Sequence, residues 1–423
     1  MTAVTRFLNE RVVPPLTALS DNTYLAAIRN GMVAVVPLTI IGGLFMVVAY
    51  LPIPGWEERI QSWTKLLEVP VTATFGLLAI FVCFAIAYDL GKRLKQEAMV
   101  SATMATLVFL MIQLDPKELT LPMANLGSQG LFTAVFVALV TVPVQKWFGD
   151  HQLVVKLPAS VPAVVYESFA SLTPMFFLVV VFWGIRFVAG IDINAWVTLA
   201  LKPLVLALNT LPGILAYAFL VTLLWSVGIN GDNAMDAVVA GIFLKYLAEN
   251  VAAVSQGQPL PNITAYGFFT VFVNVGGTGA TIALALILLN SKEPGFRQVS
   301  RLSLPTQVFQ INEPIFFGIP IVLNPIFMVP YVANAMILTT GTYLLMDWGW
   351  IRKPFVNVPW TTPPILGHFL VTGGDWRAAV WGVISLGLAM AVYYPFAKVA
   401  ERQRLQAEAA AEGTTTTARK SET

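Results

Sequence analysis

The chain has 423 residues, 57% of them hydrophobic and only 11% charged, with a mean hydropathy of +0.73; a soluble domain carries about a quarter charged residues. A formal charge of +2, with the cations in short clusters beside apolar runs, argues against a nucleic-acid-binding surface. The single cysteine excludes a disulfide within the chain.

The opening stretch MTAVTRFLNERVVPPL is amphipathic, carries acid and lacks an apolar core, so it predicts a surface-lying helix rather than a cleaved signal. Charge-free runs then follow at residues 30–56, 69–88, 119–145, 203–231, 251–291, 314–346 and 378–397. Each reaches the roughly 20 residues of a spanning helix, and several are long enough for two passes or for one pass and a re-entrant hairpin. The expectation is an all-α integral membrane protein with about ten spans. Cys83 falls within LLAIFVCFAIAYDL and predicts a packed, inert thiol.

Lys92, Arg93 and Lys95 follow the second span, whereas Glu57, Glu58 and Glu68, then Asp115 and Glu118, mark the connections after the first and third. The positive-inside bias therefore places both termini in the cytoplasm, with Lys146, Lys156, Lys292, Arg297, Arg301, Lys398, Arg402 and Arg404 on the same side. His151 belongs to one of these segments and reads as a solvated residue. Residues 1–190 carry ordinary spans with packing glycines such as Gly42, Gly43 and Gly76, which suit a scaffold or dimer contact.

From 191 to 400, polar and helix-breaking residues accumulate in apolar sequence: GINGDN at 228–233, VGGTGAT at 275–281, NEPIFFGIPIVLNP at 312–325, NVPWTTPP from 357 and TGGDWRAA to 379. Pro314, Pro320 and Pro325 prevent a regular helix around Glu313, and irregular backbone at membrane depth is tolerated only where protein or a watery cavity satisfies it. A carboxylate there costs roughly 2.5–3.5 kcal/mol on insertion scales, so Glu313 needs a partner or a task. VGGTGAT lacks the lysine of a phosphate loop and reads as close packing or flexible backbone. Lys245 and Glu249 form an i, i+4 pair. Residues 401–423 are polar and low in complexity, predicting a frayed helix and disordered cytoplasmic tail. No His/Cys/Asp/Glu cluster has metal spacing, and no cofactor is expected.

These motifs, in this order and at these separations, resemble the lactose/cellobiose and diacetylchitobiose type of enzyme IIC, the membrane subunits of bacterial phosphoenolpyruvate-dependent phosphotransferase systems. The similarity runs from about residue 5 to 400 and is densest after Trp225. It implies a homodimer with ten spanning helices per protomer, two re-entrant hairpins and a sugar site in the second half. It also implies that sugar transport is coupled to phosphorylation by a cysteine on a separate IIB protein, itself served by a IIA protein. Cys83 lacks the polar phosphate-cradling loop that a donor requires.

By this resemblance Glu313 hydrogen-bonds the sugar hydroxyl that receives phosphate; an apolar setting would sharpen its basicity. The competing reading is a carboxylate that ties a broken hairpin to backbone N–H groups. Asn312 divides between sugar contact and backbone cap. Asn230 stands where the family has a histidine, and an amide orients a hydroxyl but takes up no proton near neutral pH. That leaves the base to Glu313, or lets Asp232 share it. Asp232 and Asn233 divide between sugar contact and helix capping. Trp225 and Trp360 read as sugar-stacking rings or interfacial anchors, and Trp376 as an anchor. Asn274 is a candidate sugar ligand, and His368 a candidate for the sugar path.

The sequence thus predicts the membrane permease subunit of a phosphotransferase system that takes a β-linked disaccharide such as cellobiose, diacetylchitobiose or lactose. The alternative is a secondary sugar transporter or facilitator of the same fold without phosphoryl transfer. A membrane hydrolase would need a second carboxylate at a defined spacing, and none is evident.

Overall fold

The computed structural model describes residues 22–50, 55–155, 158, 169–319 and 321–421, without the side chains of residues 57, 237 and 408–421. The amphipathic opening stretch, Lys156 and Pro320 lie outside the described residues. Those described form helices, turns and loops, with no strand among them.

Among the described residues, six helical stretches are long and apolar enough to cross a bilayer: Thr23–Ala49, Glu58–Arg93, Ser128–Asp150, Val238–Ser255, Phe268–Leu288 and Trp376–Ala407. A seventh results if Leu172–Val188 and Ile193–Leu208, bent by 88° at their junction, form one broken span. Ala98–Gln113 and Leu211–Ser226 are apolar but shorter. Among the described residues length and apolarity alone thus pick out six or seven spans where about ten are expected, and residues 256–267, inside the longest charge-free run, form turns and loop.

In the first half, helix α1 (Thr23–Ala34) leads to α2 (Val36–Ala49), which packs on α3 (Trp56–Phe75). Next, α4 (Leu78–Arg93) is the centre of this half, touching α1, α5 (Ala98–Gln113) and α6 (Leu131–Asp150). Cys83 is buried in its core face. A β-carbon on Gly43 of α2 would stand 3.0 Å from the Asn357 backbone nitrogen, so this glycine lets the first half meet a loop of the second.

Helices α7 (Leu172–Trp183) and α8 (Ile193–Leu208) flank the bend, and α8 packs on α6. The second half then comprises α9 (Leu211–Ser226), α10 (Gly231–Ser255), α11 (Thr281–Leu288), α12 (Pro294–Gln307), α13 (Glu313–Gly318), α14 (Pro325–Asp347), α15 (Leu366–Val371) and α16 (Trp376–Ser421). Helix α14 packs against α9 and α16, and α10 crosses to α1. The Lys245–Glu249 pair forms on α10, and Glu249 also accepts from Asn262 Nδ2 at 2.8 Å.

Proline sets the breaks near Glu313. Pro314 and Pro325 occupy the first turns of α13 and α14, where a missing N–H costs nothing. The turn between them is pinned where Leu323 N–H donates to the Ser226 carbonyl at the end of α9, 2.9 Å away. Helix α16 continues to Ser421, into the segment expected to be a frayed helix followed by a disordered tail. Its Glu401 accepts from the Ser291 hydroxyl at 2.8 Å and pairs with Lys398 at 2.8 Å.

Candidate functional site

Four segments converge in the second half: the turn from α9 to α10, the glycine strap 274–280, the loop 310–313 and helix α14. The first turn of α10 is started by Asn230, whose side-chain oxygen accepts from Asn233 N–H at 2.9 Å. Asparagine is among the best N-caps, so the amide at the position of the expected histidine has a local structural task. Asn233 is exposed, and its carbonyl accepts from the Arg29 guanidinium of α1 at 3.4 Å.

Asp232 is the hub. One carboxylate oxygen accepts from the Trp225 indole N–H at 2.8 Å and from the Thr278 hydroxyl at 2.5 Å, and the other accepts from Asn274 Nδ2 at 3.2 Å. An ionised carboxylate offers about four lone-pair sites. Three are committed to protein donors, so Asp232 organises the site and has little capacity left for a substrate proton. The Trp225 ring is buried and lies near-perpendicular to the Phe316 ring, with centroids 5.1 Å apart.

The strap threads between these groups. Gly277 N–H donates to Gln310 Oε1 at 3.0 Å, Asn312 Nδ2 donates to the Thr278 carbonyl at 3.0 Å, and the Tyr393 hydroxyl donates to the Gly279 carbonyl at 2.8 Å. Gly277 and Gly279 have φ of +103° and +75°, conformations that L side chains rarely adopt. Their β-carbons would also stand 2.4 Å from Asn312 Cβ and 2.3 Å from the Tyr331 ring. The glycine motif is therefore a close-approach strap, which accords with the packing reading of its sequence.

Glu313 differs from Asp232 in every respect. It is exposed at the start of α13, and no described residue gives its carboxylate a hydrogen bond or an ion pair. Asn312 beside it is buried. Three buried polar atoms around the strap also lack partners among the described residues: Asn274 Oδ1, Gln310 Nε2 and the Tyr331 hydroxyl. Unpaired buried polar atoms cost about 1–3 kcal/mol each unless water or a ligand satisfies them. Together they give this region unmet donors and an acceptor, the chemistry that carbohydrate hydroxyls supply.

The remaining expected residues lie apart from this network. Trp360 is exposed in the loop before α15. His368 is fully buried against Phe272, with ring centroids 4.6 Å apart; its Nδ1 accepts from Ile365 N–H at 3.3 Å and its Nε2 has no partner among the described residues. Trp376 is exposed at the start of α16, and His151 is exposed beside Trp147. Sequence reasoning did not single out Thr278, Gln310 or Tyr331, although each stands in or beside a quoted motif. It also missed Asp236, one turn beyond Asp232 on α10, which lies within the electrostatic reach of Asp232 and Arg29.

A cavity of about 680 Å³ opens between α1, α6, α8 and α10, lined by side chains such as Met32, Phe132, Trp196, Leu201 and Val238. It contains none of the expected site residues. Its apolar walls offer a sugar no hydroxyl partners, so its size does not make it the sugar site.

The helical, multi-pass architecture and its polar second-half site define a membrane transport protein. Residues 29–335 match the family model for the phosphotransferase system, EIIC. The chain is 34% identical to the cellobiose-specific EIIC component of Geobacillus stearothermophilus over 96% of both chains. It is 33% identical to the lichenan permease IIC component of Bacillus subtilis (strain 168), again over 96% of both. The crystal structure of the transporter ChbC, the IIC component from the N,N'-diacetylchitobiose-specific phosphotransferase system, superposes with a TM-score of 0.89 at 33% identity, covering 95% of this chain and 99% of that one. The chain belongs to the EIIC family: it is a transmembrane sugar permease of the phosphotransferase system, related to its lactose-, cellobiose- and chitobiose-specific branch.

Proposed function

We propose that this permease binds a β-linked disaccharide of the cellobiose, diacetylchitobiose or lactose type and translocates it in concert with phosphorylation by a separate IIB protein that is recharged by IIA. The observation that carries the reading is the contrast between two carboxylates. Asp232 accepts from Trp225, Thr278 and Asn274, while no described residue gives the Glu313 carboxylate a hydrogen bond. The sugar hydroxyl oxygen attacks phosphorus on the IIB phosphocysteine, the O–P bond forms as the S–P bond breaks, the thiolate leaves, and the hydroxyl proton passes to Glu313. General-base assistance of this kind is worth typically 10²–10⁴-fold.

Asp232, Asn233, Asn274, Asn312 and Asn230 frame the sugar in this reading, with Trp360 and His368 along its path and Trp225 holding Asp232 in place. The names of the relatives support this sugar class: one is cellobiose-specific, one is a lichenan permease component and one is N,N'-diacetylchitobiose-specific. The working form is a homodimer in the bacterial inner membrane, with ten spans and two re-entrant hairpins per protomer. Both termini face the cytoplasm. Residues 1–190 serve as scaffold, 191–400 move with the sugar, and 401–423 remain on the cytoplasmic side.

The test is Glu313→Gln in membrane vesicles supplied with phospho-IIB. Labelled cellobiose still binds, while phosphorylated product disappears; retained phosphorylation removes Glu313 from the mechanism. One observation favours a second reading, a facilitator without phosphoryl transfer: Asn230 brings no imidazole and is used as a cap. Uptake that persists without IIA and IIB distinguishes it.

A further inference from the structure

The hollow of about 680 Å³ between α1, α6, α8 and α10 has no part in the sugar reading. Every residue that lines it is apolar, and Trp196, Leu204 and Val238 among them are exposed, so it opens to the surroundings of the spans. An engineered apolar cavity of about 150 Å³ stays dry, because water finds no polar partner there. This one is roughly four times larger, and left empty it would forfeit dispersion contacts along all its walls. Around membrane spans the medium that fills such a hollow is hydrocarbon.

One end of the hollow is chemically marked. Arg186 lies in the turn that closes α7, and Asp192 caps α8; Ile191 N–H donates to the Ile185 carbonyl at 3.0 Å across the loop between them. Ile185, Ile191 and Ile193, the chain neighbours of these two charges, all line the hollow. Arg186 is 9% exposed, and a guanidinium carries five donors. Its one hydrogen bond among the described residues runs from Nη2 to the Leu114 carbonyl at 3.5 Å, and its Nε has no partner there. Its Nη1 stands 3.8 Å from Asp192 Oδ2, an ion pair too long for a hydrogen bond. Asp192 is half exposed, and its Oδ1 alone accepts, from Ala195 N–H at 3.1 Å. Leu114 ends α5, and Asp115, Lys117 and Glu118 follow it, so this end of the hollow sits at the polar border of the spans. An under-bonded cation and an under-bonded carboxylate thus stand together where an alkyl-lined hollow meets that border.

We propose that this hollow is a binding site for a zwitterionic glycerophospholipid of the phosphatidylethanolamine type: an acyl chain fills the hollow, the phosphate pairs with Arg186 and the ammonium pairs with Asp192. The guanidinium fork matches phosphate geometry. One cation beside one carboxylate selects a headgroup that is itself neutral in sum, because an anionic headgroup would leave Asp192 facing a second negative charge. Met32 of α1 and Gly241 of α10 both line the hollow, so the bound chain packs against both halves of the protein. The site is independent of the role proposed for Glu313.

The test is lipid retention by the full-length protein, equilibrated in nanodiscs of phosphatidylethanolamine and phosphatidylglycerol in equal parts, washed in detergent and read by native mass spectrometry. Wild type is expected to keep one phosphatidylethanolamine per protomer and little phosphatidylglycerol. Arg186→Gln should lower that retention about tenfold, since the charge-assisted contact to phosphate is lost. Asp192→Asn keeps a good cap on α8 and should hold the two lipids equally. Ala200→Trp fills the hollow without touching either charge and should expel the lipid. Thermal midpoints report that each variant is folded; should Arg186→Gln fail to fold, the other two carry the test. A wild type that holds both lipids equally, or neither, would overturn the proposal, as would unchanged retention in Ala200→Trp. If Ala200→Trp instead turns a lipid-free wild-type dimer into monomers, the hollow belongs to a second copy of the chain and the proposal fails.

Discussion

Thr278 and Asp232, 46 residues apart in sequence, meet hydroxyl to carboxylate at 2.5 Å, and this bond joins the glycine strap to the first turn of α10. It carries the strap's neighbours with it, because Asn312 holds the carbonyl of the same threonine. The acid-bearing hairpin is thereby registered against α10 through one residue.

Thr278→Val keeps the shape and deletes the donor. Hydrogen bonds to charged groups contribute about 1.5–3 kcal/mol, so thermal unfolding of the purified protein should begin at clearly lower temperature. Thr278→Ser restores the donor and should recover most of the loss. Equal midpoints for the valine variant and wild type would show that the bond does not hold the strap.

Asn230→Ala should cost about 1 kcal/mol through loss of the α10 cap, and Asn230→Asp should be close to neutral. Asn230→His should be destabilised like the alanine variant, while phosphorylation per folded molecule holds or rises. Denaturation midpoints and single-turnover phosphorylation measured on the same preparations separate the two effects.

A β-carbon on Gly279 meets both a positive φ of +75° and the Tyr331 ring at 2.3 Å. Backbone strain of this kind costs about 1–3 kcal/mol before the clash is counted. Gly387→Ala on α16 meets nothing within 4 Å and serves as the control, neutral or slightly stabilising. Comparison of monodisperse yield and unfolding temperature for the two variants checks the prediction.

Asp375, in the loop before α16, carries a pH dependence. Burial raises the affinity of its carboxyl for a proton. The Arg377 guanidinium and the backbone N–H groups of Arg352 and Arg377 outweigh that and hold it below the usual carboxylate value of 3.8. A depressed folded-state value means stability that is present above the unfolded value and lost as pH falls through the folded one. Wild type should therefore lose stability below pH 3.8 more steeply than Asp375→Asn, as followed by unfolding midpoints across pH.

The membrane character and the special status of residues 312–325 were legible from the sequence because both follow from local chemistry: apolar run length, and prolines around one acid. Pro314 and Pro325 do begin separate helices. The span count was less legible, since an apolar composition does not report where backbone leaves the helix, as at 256–267. Asp232 as a hub was invisible for a different reason. Its donors Trp225, Asn274 and Thr278 come from different segments, and nothing in GINGDN announces them. Tyr331 was hidden in an apolar helix where a buried tyrosine and a buried phenylalanine look alike until hydroxyl partners are tallied.

The bond from Arg29 to the Asn233 carbonyl, at 3.4 Å, lies at the weak limit of such contacts. It reaches across the seam where α1 meets α10, and there Gly241 lets the Met32 methyl come close to the α10 backbone. A seam of greasy side chains fastened by so loose a catch behaves as a sliding bearing. Shear along it is expected to meet little resistance, whereas the hydrogen-bonded hub around Asp232 is expected to move as one piece.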